Sequence, residues 1–267
     1  MDISGTVVKK TARTALKGNY FKTVIVSCIF IFAWIVLYEC VKITGAVAGP
    51  VAAFALLAAV IVFLIFPLAQ GFVYYSVRLI FGSDCEPQVL FKYFSGGKEY
   101  LRALKLSVIL AGNAAFFGVF LFFPVVLCDL TANGGLFKMM GAEIPSWASW
   151  LSVLSHILRI IALAILLSLM LKFYLSPFLV AANEDMDIFE ALQISKTIAR
   201  VTRREFIFLI CGFIGYIVAC VFVIPMIFVF PYFAAAYAVH CRYAVAAYNK
   251  NADGMSAAPS FEADISF

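Results

Sequence analysis

Long apolar runs separated by short, cation-rich segments make up almost the whole chain. The runs fall at 21–41, 46–81, 106–128, 150–174, 206–223 and 226–248, and each has the length a helix needs to cross the ~30 Å hydrocarbon core of a bilayer. The second run is too long for one crossing, since at 1.5 Å per residue it would reach about 54 Å. It reads as one span plus an exit segment, with Pro67 and Gly71 marking a kink and Gln70, Tyr74, Tyr75 and Arg78 passing through the headgroup layer. Trp147 and Trp150 read as an interfacial anchor at the start of the fourth span.

The segments between runs have their own period. In residues 3–20, Val8, Ala12, Ala15 and Leu16 share one helical face and Lys9, Lys10, Arg13 and Lys17 the other, and Gly18-Asn19 closes the segment. Residues 185–216 repeat the design. Asp185, Asp187 and Glu190 come first and Lys196, Arg200, Arg203 and Arg204 last, with Ile188, Ala191, Leu192, Ile198 and Ala199 on one face. This predicts an amphipathic helix that lies on a membrane surface and runs unbroken into the fifth span. Residues 82–105 are a broken version, with Val89, Leu90, Tyr93 and Phe94 before a Gly96-Gly97 break and Tyr100, Leu101 and Leu104 after it.

The expected fold is an all-α polytopic membrane bundle of six transmembrane helices in three hairpins, each preceded by a cytoplasmic amphipathic helix. One domain covers 1–248, with repeats at about 3–81, 87–180 and 185–248, and residues 249–267 form a polar tail expected to be disordered. The repeat rests on Phe66-Pro67, Ser176-Pro177 and Phe230-Pro231, near equivalent ends of the even spans. Against it stands the fact that prolines are tolerated at span ends and any six spans divide into three pairs. The turn of the last hairpin is expected around Pro225.

Composition removes the soluble classes: 64% of residues are hydrophobic and 13% charged, against about 45–50% and about 25% in soluble domains. The net charge of +5 does not point to nucleic acid, because the cations are confined to short segments between apolar runs. Membrane lipids, especially anionic headgroups on the cytoplasmic side, are the nearer partner, at Lys9, Lys10, Arg13, Lys17, Lys196, Arg200, Arg203 and Arg204. Of the 20 lysines and arginines, only Lys42 and Lys138 fall on the opposite side and Arg159 inside a span. That asymmetry places both termini in the cytoplasm.

Arg159 is the residue least at home in its surroundings, well inside the fourth span where an arginine costs roughly 2.5–3.5 kcal/mol. His156, Ser152 and Ser155 lie on nearby turns, and Glu39 or Asp129 could bring a carboxylate from the outer end of another span. Two readings stand: an anion or headgroup site, or an interhelical pair or snorkelling side chain. His240, between Tyr237 and Tyr243 and beside Cys241 and Arg242, reads as an interfacial, hydrogen-bonded histidine rather than a catalytic one. Gly212, Gly215 and Ala219 favour close helix packing.

The seven cysteines show no metal spacing. Cys40 and Cys128 alone sit at matching depths where a disulfide is conceivable. There is no phosphate loop, no nucleophile elbow, no His-Glu-x-x-His and no paired carboxylates in a plausible cleft. The expectation is a protein that is no enzyme and holds no cofactor and no metal. It would bind or move a lipid or small amphipathic molecule within the bilayer; alternatively it is a scaffold or accessory subunit recruiting a protein partner through its basic helices.

Tyr174, Pro177, Ala181, Asn183, Ala191-Leu192, Ser195, Lys196, Arg200, Arg203, Leu209 and Phe213-Ile214-Gly215 follow the core pattern of a family of bacterial integral membrane proteins catalogued as domain of unknown function 975. The block from Ala15 to Tyr20 and Pro231-Tyr232 extend the resemblance over residues 7 to about 248. It departs at Ala182, Val201, Gly212 and Tyr216, where the family has Asp, Gly, Ser and Trp. The hairpin style is also similar to the membrane domain attached to some bacterial glycerophosphodiester phosphodiesterases, whose catalytic domain has no counterpart here. The resemblance implies the fold and a bacterial cell membrane; it implies no activity.

Overall fold

The computed structural model describes residues 5–82, 86–134, 148–219 and 223–253. Helix α1, Gly5–Leu16, stops just before Gly18, whose φ of +95° is one that L side chains rarely adopt. Helix α2, Tyr20–Ala48, follows, and Gly49 at φ +89° turns the chain back into α3, Pro50–Val60. Pro50 suits the first turn because it has no N–H to leave unpaired. The two helices lie side by side, close enough that a Cβ on Gly45 would sit 3.5 Å from that of Ala53.

A wide π turn at Ile61–Ile65 joins α3 to α4, Phe66–Ile80. It falls immediately ahead of Pro67, whose ring crowds the carbonyl four residues back and whose missing N–H breaks the α ladder. The expected irregularity is therefore present at Pro67. Gly71 has a different role: a Cβ there would overlap the Leu90 carbonyl oxygen, so it lets a 3-10 turn, Pro87–Phe91, settle on α4. Helix α5, Lys92–Ser95, breaks at Gly96 before α6, Gly97–Ala132, as the glycine pair foretold.

Next come α7 at Ala148–Met170, a 3-10 turn at Leu171–Phe173, α8 at Ser176–Ala182 and α9 at Ile188–Cys211. Short α10, Ile214–Ala219, and long α11, Val223–Asp253, complete the described chain. No strand occurs among the described residues.

The course of two helices is corrected. The amphipathic helix at 185–216 does not run through unbroken but turns at Gly212 and Phe213. Pro225 belongs to α11 rather than to a turn, and α11 carries the supposed tail as helix to Asp253. Cys40 and Cys128 are free thiols. The loop expected after Asp129 is helical to Ala132; its residues 135–147, with Lys138 and Trp147, and the tail at 254–267 lie outside the described residues.

The chain forms two compact units, one of residues 1–108 with 174–267 and one of residues 109–173. In the first, α4, α8 and α11 form the centre. The segments following Pro67, Pro177 and Pro231 bury Tyr75 and Val77, Leu179 and Val180, and Ala235, Ala236 and Ala238. Around them α1 packs on α11, the 3-10 turn on α4, and α9 on α8. The second unit holds the rest of α6 with α7, where Val125, Ser155 and Ala162 are buried.

Four stretches are long and apolar enough to cross a membrane: Tyr20–Ala48, Pro50–Ile80, Gly97–Ala132 and Trp150–Ala182. Their most apolar windows have mean hydropathy of 2.1 to 2.9, yet only 11 to 22% of each window is buried inside the protein. Apolar side chains left outward in this way suit a hydrocarbon solvent rather than water. Of the two remaining expected spans, 206–223 includes residues outside the described set and 226–248 lies within α11.

Candidate functional site

Arg159 already has a partner. Its Nη2 lies 2.5 Å from Asp129 Oδ2, joining α7 to α6 within the second unit. Glu39, the other candidate carboxylate, pairs instead with Lys42 one helical turn on, at 3.2 Å. His156 hydrogen-bonds within its own helix: its Nδ1 is 2.6 Å from the Ser152 carbonyl oxygen, a bond in which the ring nitrogen donates. An arginine whose charge is met by a carboxylate is poorly placed to capture an anion, so the geometry fits the interhelical pair.

The surface helices hold a second surprise. Val8, Ala12 and Leu16 of α1 and Ile188, Ala191, Leu192, Ile198 and Ala199 of α9 are all buried against the protein. These helices are anchored to the molecule by the faces expected to dip into a bilayer, leaving their cations outward. Lys10, Arg13, Lys17, Lys196, Arg200, Arg203 and Arg204 are exposed. Lys9 is engaged internally: its Nζ donates to the Gly212 carbonyl at 2.7 Å and stands over the Phe213 ring. A lysine here meets the carbonyl-rich end of α9, where a cation is favoured. Gly212 leaves room for it, since a Cβ would lie 2.6 Å from that Nζ. Gly215 meets nothing within 4 Å, so the close packing expected of this pair is not its role.

A polar cluster that periodicity did not reveal sits where α8 ends. Arg102 Nη2 donates to the carbonyls of Asn183 and Met186, each at 2.7 Å, and Nη1 to that of Glu184. These fill acceptors that the end of a helix leaves open. Lys92 binds the Glu184 carboxylate and lies 4.0 Å above the Tyr74 ring, while the Tyr74 hydroxyl donates to the same carboxylate at 3.3 Å. The hydrogen bond from Lys92 holds the Glu184 carboxyl below its ordinary value of 4.5. Burial opposes the charge on Lys92, but Glu184 and Tyr74 outweigh it and its pKa is raised above 10.5.

His240 is buried and hydrogen-bonded. Its Nε2 is 3.1 Å from the Tyr174 hydroxyl, which also meets Thr202 Oγ1 at 2.8 Å, and the Tyr237 hydroxyl donates to the Tyr174 carbonyl at 2.6 Å. The Tyr174 ring stacks on Phe206 at 4.2 Å. Every polar atom named has a partner, as burial requires. Among the described residues no three His, Cys, Asp or Glu side chains gather where they could hold a metal.

One opening has the lining of a ligand site. A cleft of about 450 Å³ lies among α1, the start of α2, α10 and α11, with Arg13 and Lys17 in its lining. Tyr20, Tyr216, Phe228 and Tyr232 wall it. Tyr20 stacks nearly parallel on Phe228 and donates its hydroxyl to the Phe228 carbonyl at 3.2 Å. The Arg13 guanidinium lies 5.4 Å from the Tyr232 ring centre. The sequence had marked Arg13 and Lys17 as headgroup contacts, but nothing in its periodicity brings residues 216–232 beside them.

The sequence profile of a family described as a protein of unknown function (DUF975) matches residues 3–246. The chain belongs to the DUF975 family. No curated protein and no solved structure matches it. In this DUF975 protein the residues behind the resemblance divide between the exposed cations Lys196, Arg200 and Arg203 and a set buried in the first unit. Tyr174, Ala181, Ala191, Ser195, Leu209 and Phe213 are buried, and the Pro177 carbonyl accepts from Gln70 Nε2 at 2.8 Å.

Proposed function

We propose that this DUF975 protein is a six-span, non-enzymatic protein of the bacterial cell membrane that binds or moves a lipid or small amphipathic molecule within the bilayer. The observation that carries the reading is the cleft of about 450 Å³ lined by two cations and by aromatic rings. That polarity is the polarity of an amphiphile. Four apolar stretches supply spans, and α10 with α11 supplies the remaining hairpin, so that both termini lie with the cations in the cytoplasm. The convergence of the segments after Pro67, Pro177 and Pro231 supports three related hairpins.

A second reading, recruitment of a protein partner, draws on α9. There the exposed Val201 and Phe189 accompany Arg200 and Arg203. Native mass spectrometry of the purified protein separates the two. Co-isolated lipid that survives detergent exchange supports binding, and a clean lipid-free protein that captures a soluble partner sinks it. Cysteine-accessibility labelling at residues 10 and 250 tests the topology, which fails if either position is modified from outside the cell.

A further inference from the structure

We infer that the cleft between α1 and α11 is a site for a single anionic phospholipid, with Arg13 and Lys17 on the phosphate and the acyl chain laid along Leu16, Phe228 and Val229. The inference rests on the lipid-binding reading and names the ligand and the residues that select it.

The first argument is continuity. A second groove of about 620 Å³ runs along α1 past Lys10 and Thr14, and it shares Arg13 and Lys17 with the first cleft. The two openings therefore meet at two cations. Lys10, Arg13 and Lys17 are spaced three and four apart, which places them on one stripe of the helix.

The second argument is unspent charge. Ion pairs among the described residues include Lys42 with Glu39, Lys92 with Glu184 and Arg159 with Asp129. None of these uses Arg13 or Lys17. Lys9, on the same helix, is occupied by the Gly212 carbonyl, so helix α1 separates a cation with an internal duty from two without an anion. The Arg13 guanidinium lies 5.4 Å from the Tyr232 ring centre with the neutral phenols of Tyr232 and Tyr216 beside it, so its charge meets no carboxylate there and remains for a phosphate.

The third argument chooses lipid over free phosphate. Beside the two cations the lining includes Leu16, Tyr20, Phe228 and Val229, with Phe228 half exposed. The Tyr20 hydroxyl is used on the Phe228 carbonyl, so that side offers a bound molecule ring and not hydroxyl. A bare phosphate would leave this surface in water; a chain would cover it.

The test is competitive retention in native mass spectrometry, using full-length protein in mixed micelles of equal phosphatidylglycerol and phosphatidylcholine. Wild type is expected to retain phosphatidylglycerol preferentially. The double substitution Arg13→Ala with Lys17→Ala should lower that preference about tenfold. Arg13→Lys with Lys17→Arg should keep it, and Lys98→Ala with Lys250→Ala, an equal loss of exposed charge elsewhere, should leave it unchanged. If the double alanine variant does not fold, Val229→Trp fills the cleft without altering charge and should displace the lipid. No preference in wild type overturns the lipid-binding reading itself. A wild-type preference that survives the double alanine or Val229→Trp substitution overturns only the site. Displacement of phosphatidylglycerol by inorganic phosphate alone assigns the cations to free phosphate and also overturns it.

Discussion

The Tyr100 hydroxyl donates to the Phe63 carbonyl oxygen at 2.9 Å, and that carbonyl is the one whose ordinary helical partner would be the N–H of residue 67, a proline. One phenol from α6 thus supports the π turn between α3 and α4 at the point where the backbone cannot support itself. Tyr100→Phe keeps the ring and removes the donor. It is expected to lower stability by about 1 kcal/mol, seen as a reduced thermal midpoint in detergent; an unchanged midpoint would show that the bond contributes nothing.

Gly71→Ala should be the more damaging change despite adding one methyl. Its Cβ meets backbone rather than a yielding side chain, at the Leu90 carbonyl, so the 3-10 turn must move off α4 at about 1–3 kcal/mol. Gly215→Ala is the matched comparison. With open space around it in α10, alanine is expected to stabilise by about 0.5–1 kcal/mol. Equal midpoints for the two variants would contradict this.

Arg159 and Asp129 should behave as a pair. Either Arg159→Leu or Asp129→Leu strands one charge in an apolar setting, whereas the double substitution strands none. A double-mutant cycle on folded yield and thermal midpoint should therefore give a double variant milder than the sum of the singles. Lipid retention should not follow Arg159→Leu. If it does, with folding intact, Arg159 binds cargo after all.

The Lys92 and Glu184 latch predicts a pH profile. Glu184 titrates lower in the folded protein than its ordinary 4.5, so its contribution is present above 4.5 and disappears as pH falls through the folded value. Lys92 titrates above 10.5, so its share is present below 10.5 and disappears as pH rises through its own folded value. Stability from the latch is flat between those limits. Glu184→Gln should erase the acid-side difference, and because Glu184 is half exposed the whole effect should shrink in high salt. An acid limb identical in wild type and variant would exclude the latch.

Much of the architecture could be read from residue order alone. Gly18 ends α1, Gly96 breaks the segment before α6, and apolar runs long enough to cross a bilayer mark four of the long helices. These are local matters, decided by backbone freedom and by the length of chain that water will not hold. Periodicity also showed correctly that Val8, Ala12 and Leu16 share a face. It could not show what covers that face, because hydrocarbon and protein reward the same stripe. The tertiary structure gave it to α11. Packing likewise brought Asp129 to Arg159, sent Lys9 to Gly212 and set Arg102 on the end of α8. Each pairing joins residues far apart in the chain, between groups whose charge or polarity would have accepted several partners, and only the fold brings one of those partners within reach.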